Sequence, residues 1–356
     1  MSTEHHLVDV AVIGGGQAGL AAGYFLRRAK AEFVILDAGD RPGGAWPRYW
    51  DSLRLFSPAA HSMLPGWWMP EEQGQEYPSA SHVAWYLAEY EHRYHLPVHR
   101  PVRVGQVERA EDRLRLRTDA GTWLARRVIS ATGTWSAPHI PHVPGRDAFE
   151  GQQLHTVDYR GPERFAGQRV VVVGGGNSAA QILAELSEVT TTTWVTSRPP
   201  RFLPEDVDGR ALFAIATRAQ HSPVAGVADL GDIVVVPSVR RARERAALKA
   251  EPMFDRLTRT GVAWADGTAL ECDAVLWCTG FRPVLDHLHP LGLVGAQGRV
   301  AVQGTRSVAE PRLHLLGYGD WTGPASATLI GAARTAKATV AQITRELESE
   351  APPRTR

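Results

Sequence analysis

The chain has 356 residues, 44 % of them hydrophobic, and its 39 lysines and arginines nearly balance its 38 aspartates and glutamates. That length suits about two domains with well-buried cores. The balanced charge excludes the broad basic field that a nucleic-acid partner requires, and no apolar run approaches the roughly 18 residues that span a bilayer.

The N-terminal MSTEHHLVDV runs straight into a strand without the apolar centre of a signal peptide. The two cysteines, Cys272 and Cys278, do not form a CxxC pair. A reducing cytoplasm is therefore the expected location. The histidines are scattered, and no metal site is expected.

Residues 8–13 read as a buried parallel strand, followed by the loop Gly14-x-Gly16-x-x-Gly19 and a helix to about residue 30. A second strand, 33–36, ends at Asp37, close to the roughly 20-residue spacing at which a carboxylate meets a ribose diol. Strand, glycine loop, helix, strand and acid together turn a weak glycine pattern into a dinucleotide site. An aromatic-rich segment follows, with Trp50, Phe56, Trp67, Trp68 and Tyr77. Residues 81–94 read as an amphipathic helix with Ser79 or Ser81 as its N-cap. Alternating stretches at 98–107, 113–118 and 122–129 predict a small β-meander, closed by ISATG at 129–133.

The second block runs from His155 to about residue 281. It repeats the pattern: a strand at 169–173, the loop Gly174-x-Gly176-x-x-Ala179, a helix at 177–186 and a strand at 192–196. Residues 205–231 read as irregular. The basic stretch 237–249 reads as a helix with a solvated charged face. AVLWCTG at 274–280 mirrors the first ATG, and LHLLGYGDW leads into a long helix over 326–347. The expected fold is α/β, with two Rossmann-like dinucleotide-binding domains in a glutathione-reductase-like architecture. The second domain, 156–280, is inserted into a first made of 1–155 and 281–356.

The two loops suit different cofactors. At the first, a helix N-terminus neutralises the FAD pyrophosphate without side-chain charge. Gly14, Gly16 and Gly19 permit close approach, and Asp37 grips the adenosine ribose. Asp320 is placed to hold the ribityl hydroxyls. The start of the last helix, near 325–328 and including Thr328, points its dipole at the flavin pyrimidine. At the second loop, Gly174, Gly176, Asn177 and Ser178 form the seat. The following strand ends in Thr196-Ser197-Arg198, with Arg201 close behind, and carries no acid. An arginine pairs with a 2′-phosphate that a carboxylate would repel, which predicts NADPH over NADH.

These motifs, together with Gly43-Gly44-x-Trp46 and the fingerprint Phe149-x-Gly151-x-x-x-His155-x-x-x-Tyr159-Arg160, make the chain resemble the class B flavoprotein monooxygenases over nearly its whole length. The Baeyer–Villiger branch carries Trp-Pro where this fingerprint ends in Tyr159-Arg160, so the chain is similar to the N- and S-oxygenating branch. DSLRLFSPA, LPGWWMP, YPSASHV and GYGDWTGPASATLIG look similar to the compact flavin monooxygenases of bacterial arsenic-resistance operons. The FAD set also takes in Gly44, Trp46, Val104 and Gly133.

The resemblance implies that NADPH reduces FAD and that the reduced flavin meets O₂ to give a C4a-(hydro)peroxide. One oxygen atom then passes to a small soft nucleophile, an N, S or As centre. The chemistry is the cofactor's, so no acid–base triad is expected, and His155 is an orienting residue at the domain junction. Larger relatives carry an asparagine where Phe56 stands, with Ser57 beside it; these two are the candidate flavin-proximal catalytic positions. The chain is also shorter than those relatives, which suggests an open pocket or one completed in a homodimer. Trp50, Trp67 and Trp68 line that pocket or pack in the core.

Two alternatives stand. One is an NADPH-dependent flavin reductase or oxidase that never oxygenates, and the other is a non-enzymatic flavin redox sensor. The missing CxxC excludes a thioredoxin-reductase mechanism. Cys278 is expected to be a buried apolar strand residue.

Overall fold

The computed structural model describes residues 5–204 and 233–350. Strand β1 (His5–Ile13) leads through the first glycine loop into helix α1 (Gln17–Arg28) and strand β2 (Phe33–Leu36). Helix α2 (Ala80–Arg93) follows, capped by Ser79, whose Oγ accepts the His82 N–H at 3.1 Å. Then come β3 (Val98–His99), β4 (Val104–Ala110), β5 (Arg113–Thr118) and β6 (Gly121–Ser130).

The second unit contains β7 (Gln152–His155), β8 (Arg169–Val173), α3 (Asn177–Val189) and β9 (Thr191–Thr196). It continues with α4 (Pro237–Glu244), β10 (Ala250–Pro252), β11 (Arg256–Leu257), β12 (Gly261–Ala263), β13 (Ala269–Glu271) and β14 (Ala274–Trp277). The chain closes with β15 (Val302–Gln303), β16 (Arg306–Ser307), β17 (Leu313–Leu315) and α5 (Leu329–Glu350).

The first sheet runs β15-β16-β17-β6-β1-β2-β3, with the β4–β5 meander attached to β6. Its centre, β17-β6-β1-β2-β3, is parallel. Val10 to Val12 of β1 are fully buried, as expected for a strand covered on both faces. The second sheet, β10-β9-β8-β14-β7, is parallel throughout. A small antiparallel sheet, β11-β12-β13, sits beside it.

Four local expectations shift. Strand β7, read as the end of the first domain, instead pairs with β14 and covers what would be an open edge of the second sheet. Helix α4 ends at Glu244 rather than near 249, because the chain turns at Ala246 with φ +56°. Helix α5 starts at Leu329 rather than 326, after Ala325 turns with φ +55°. Strand β14 ends one residue before Cys278, which is only half-buried. The irregular stretch 205–231 lies outside the described residues.

The chain crosses between the two sheets twice, and the crossings lie side by side. Val284 N–H donates to Gly133 at 3.0 Å, Arg282 N–H to Ala137 at 2.8 Å, and His139 N–H to Gly280 at 2.9 Å.

Candidate functional site

A cavity of about 1260 Å³ opens at the carboxyl ends of the first sheet's parallel strands, where ligands of open α/β sheets bind. Its floor is the first glycine loop, 14–18. A Cβ on Gly14 would lie 2.5 Å from the Ala131 carbonyl oxygen, and one on Gly19 would overlap the Gly14 carbonyl oxygen. These glycines let α1 start directly under the strand end. Gly16 caps α1 with no side-chain hydrogen bond, so the first-turn N–H groups face the cavity with the helix dipole behind them.

Asp37 lines the cavity and is buried. Its carboxylate accepts from Arg100 Nε at 3.0 Å and from the Gly39 N–H at 3.3 Å. The rest of the Arg100 fork grips Glu91 at 2.8 and 2.9 Å. Arg100 and Glu91 were invisible in the sequence because neither belongs to a local motif; the β2–β3 pairing brings Arg100 to Asp37, and α2 brings Glu91 to Arg100.

Gly16, Gly44, Trp46, Phe56, Ser57, Val104, Gly133, Asp320 and Thr328 line the same cavity. Gly19 does not; it is the packing contact beneath the loop. Asp320 accepts the Ala325 N–H at 3.2 Å, and Thr328 Oγ1 accepts the Gly331 N–H at 3.0 Å in the first turn of α5. Gln17 is a further residue missed in the sequence. Its Nε2 donates to Ala327 at 2.6 Å and its Oε1 accepts from Trp46 Nε1 at 2.9 Å, tying the first loop to both opposite walls.

The second loop meets this cavity through Asn177 alone; Leu203 and Val234 line the same side. Asn177 Oδ1 accepts the Val234 N–H at 2.9 Å. Gly174, Gly176, Ser178, Ser197, Arg198 and Arg201 lie outside the lining. A Cβ on Gly174 would overlap the Cys278 carbonyl oxygen, whereas one on Gly176 would meet nothing within 4 Å. Gly176 also makes no side-chain cap bond, so among the described residues the space in front of Gly176 at the start of α3 is clear. Ser197, Arg198 and Arg201 are exposed beyond the end of β9. Both loops thus have the glycine cradle and open helix start that a dinucleotide pyrophosphate fits.

None of Trp50, Trp67 and Trp68 lines the cavity. Trp50 is buried edge-on against Tyr159, Trp67 stacks on Tyr86, and Trp68 is 66 % exposed. The aromatic wall is built instead from Trp46, Tyr49 and Trp135. Tyr49 lies 4.3 Å from Trp135 and 5.3 Å from Trp46 between ring centroids, and Phe281 stacks behind Trp135 at 5.6 Å. Burial pushes the Tyr49 phenol up to about 12, so it remains neutral.

His155 Nδ1 accepts the Val157 N–H at 3.3 Å, which leaves Nε2 to donate to the Gly280 carbonyl at 3.0 Å. Burial lowers its pKa. Both ring nitrogens are thus engaged by backbone at the junction between the two sheets. Burial raises the Cys272 thiol to about 11 and the Cys278 thiol to about 12, so neither is a nucleophile near neutrality. Among the described residues no cluster of three or more His, Cys, Asp or Glu could hold a metal, and no helix is long and apolar enough to cross a membrane.

Residues 11–210 match the family described as pyridine nucleotide-disulphide oxidoreductase. A flavin-containing monooxygenase from Stenotrophomonas maltophilia is 53 % identical, with a TM-score of 0.90 covering 96 % of this chain and 99 % of that one. The oxidoreductase CzcO of Bacillus velezensis is 29 % identical over 325 residues, 87 % of this chain and 94 % of its own length. Indole-3-pyruvate monooxygenase YUCCA1 of Oryza sativa is 26 % identical over 313 residues, 76 % of each. With one glycine cradle and Asn177 after the second sharing a cavity, and no redox thiol pair, the chain belongs to the pyridine nucleotide-disulphide oxidoreductase family and, within it, is a flavin-dependent oxidoreductase of the class B monooxygenases.

Proposed function

We propose that the protein is an NADPH- and O₂-dependent FAD monooxygenase that oxygenates a small soft nucleophile at nitrogen or sulfur. For a thioether the balance is R₂S + O₂ + NADPH + H⁺ giving R₂SO + H₂O + NADP⁺. The observation that carries this reading is convergence: the first loop, Asn177 of the second loop, and Phe56 and Ser57 share one cavity.

FAD, when bound, supplies the redox chemistry and the activation of O₂. The chain's residues bind, orient and exclude water. The α1 N-terminus at Gly14, Gly16 and Gly19 takes the pyrophosphate. Asp37, held by Arg100, accepts from the adenosine ribose. Asp320 serves the ribityl chain, while Gly44, Trp46, Val104, Gly133 and Thr328 complete the walls. Gly174, Gly176, Asn177 and Ser178 take the nucleotide pyrophosphate, and Ser197, Arg198 and Arg201 take the 2′-phosphate. Trp46, Tyr49 and Trp135 shield the reacting face. The two seats belong to domains of about 1–151 with 281–356, and 152–280. An arsenic centre gains no support from the two protonated thiols, which lack a third ligand.

A second reading, an NADPH oxidase that releases hydrogen peroxide, is favoured by one observation: Phe56, which lines the cavity beside Ser57, is apolar and offers no hydrogen bond to an oxygen intermediate. The deciding experiment reduces the FAD-loaded enzyme anaerobically with NADPH and then admits O₂ with a thioether or tertiary amine. One sulfoxide or N-oxide per NADPH supports oxygenation. Stoichiometric hydrogen peroxide with no oxygenated product establishes the oxidase.

A further inference from the structure

Helix α3 carries Asn177, Gln181 and Glu185 at four-residue intervals, so all three lie on one face. Asn177 holds one piece of chain, and Gln181 and Glu185 hold another. Asn177 takes Val234 N–H. Gln181, only 7 % exposed, accepts the Arg54 N–H through Oε1 at 3.2 Å and donates from Nε2 to the Arg54 carbonyl at 3.1 Å. Glu185 Oε2 accepts from Ser52 Oγ at 2.5 Å.

The Gln181 amide therefore copies what a neighbouring strand would do. The other edge of the same segment is held by backbone alone: Leu55 N–H donates to Pro78 at 2.9 Å and Ala80 N–H to Leu53 at 3.3 Å. Two and three residues beyond Arg54 stand Phe56 and Ser57, in the wall of the cavity. A buried primary amide paired at both ends is costly to break, because it leaves two backbone groups and two side-chain groups unmatched.

We propose that Gln181 is a positioning residue through which a nucleotide seated at the start of α3 sets the flavin-facing segment 52–57. This rests on the cofactor seats proposed above. The helix is a rigid lever: one turn separates the nucleotide seat at Asn177 from Gln181, and a further turn separates Gln181 from Glu185. A displacement of α3 on nucleotide binding passes to Arg54 through a two-point clamp, and so to Phe56 and Ser57.

The test uses the oxidised, FAD-loaded protein without oxygen chemistry. NADP⁺ is titrated in, its affinity is read by calorimetry, and the flavin visible difference spectrum is recorded. Wild type is expected to give a difference spectrum. Gln181→Met, matched in length but unable to pair with Arg54, is expected to bind NADP⁺ within about threefold of wild type while its spectral amplitude falls about fivefold or more. Ser52→Ala, an exposed change that loosens the second contact, is expected to give a smaller loss and keeps the test alive if the Gln181 variant does not fold.

Unchanged amplitude in the variants, or no difference spectrum in wild type, overturns the proposal. A parallel tenfold loss of NADP⁺ affinity also overturns it, because Gln181 would then belong to the nucleotide seat. Failure of the oxygenase reading appears elsewhere, as uncoupled hydrogen peroxide from wild type, and leaves this measurement standing.

Discussion

The two glycine loops share a plan and differ at every point where a ligand would be chosen. The first has Gly19 jammed against its own strand-end carbonyl; the second has Ala179 at that position, buried without conflict. The first ends its second strand in a buried Asp37 pinned by Arg100, and the second ends in exposed Ser197 and Arg198. The first is roofed by Gly44, Trp46 and the start of α5, whereas the second reaches the shared cavity by Asn177 alone. Among the described residues, the first seat is walled and pinned and the second meets the cavity at one residue. Under the proposed assignment, this is the difference expected between a resident cofactor and an exchanging one.

The comparison breaks most sharply at Gly19. Gly19→Val places a side chain where not even a Cβ fits, and overpacking of this kind costs about 1–3 kcal/mol or more. The purified variant is expected to lose its flavin absorbance, whereas Ala179→Gly loses only about 1 kcal/mol of helix stability and keeps FAD. Flavin retained in Gly19→Val would refute the assignment of this loop.

The next effect is at the open seat. Arg198→Ala is expected to lower kcat/KM for NADPH by roughly 10- to 100-fold, as expected for a charge-assisted bond of about 1.5–3 kcal/mol. NADH kinetics are expected to change by less than about twofold; equal losses would remove the 2′-phosphate role. Arg100→Met is smaller. Among the described residues Asp37 then keeps the Gly39 N–H, and FAD affinity is expected to fall by about fivefold, near 1 kcal/mol, as measured by flavin release.

Per group and near pH 6, the smallest effect is a titration. Burial lowers His287 and His314 to about 4, from an ordinary 6.5. Both are neutral in the fold, so their contribution is full above pH 6.5 and is lost as pH falls from there toward 4. Each removes about 0.8 kcal/mol at pH 6. Thermal melts across pH 7 to 5 are expected to show this slope, and His314→Leu to reduce it by one proton's share.

Parallel strands and the start of α3 were legible because β1, β2 and β8 are apolar, β-branched runs with glycine punctuation, whereas the start of α5 was not. The FAD-side wall was partly legible: Phe56 and Ser57 do face the cavity, but the tryptophans do not follow composition. Trp67 and Trp50 were as hydrophobic in sequence as Trp46, and only the packing of α2 and the Tyr159 contact decide which rings are interior. Arg100, Gln17 and Gln181 were illegible for another reason. Each acts on a residue far along the chain, and no spacing rule links them.

The paired crossings between the sheets have a consequence in polymer terms. Because Gly133 to His139 and Gly280 to Val284 are hydrogen-bonded neighbours, the whole nucleotide-binding unit is, to the first sheet, a closed loop. Loop entropy rises only with the logarithm of loop length, by about 0.6 kcal/mol per doubling. In loop-closure terms the first sheet is therefore nearly indifferent to how much chain lies beyond that ladder, so the nucleotide unit can lengthen or shorten at positions away from Asn177, Gln181, Leu203 and Val234.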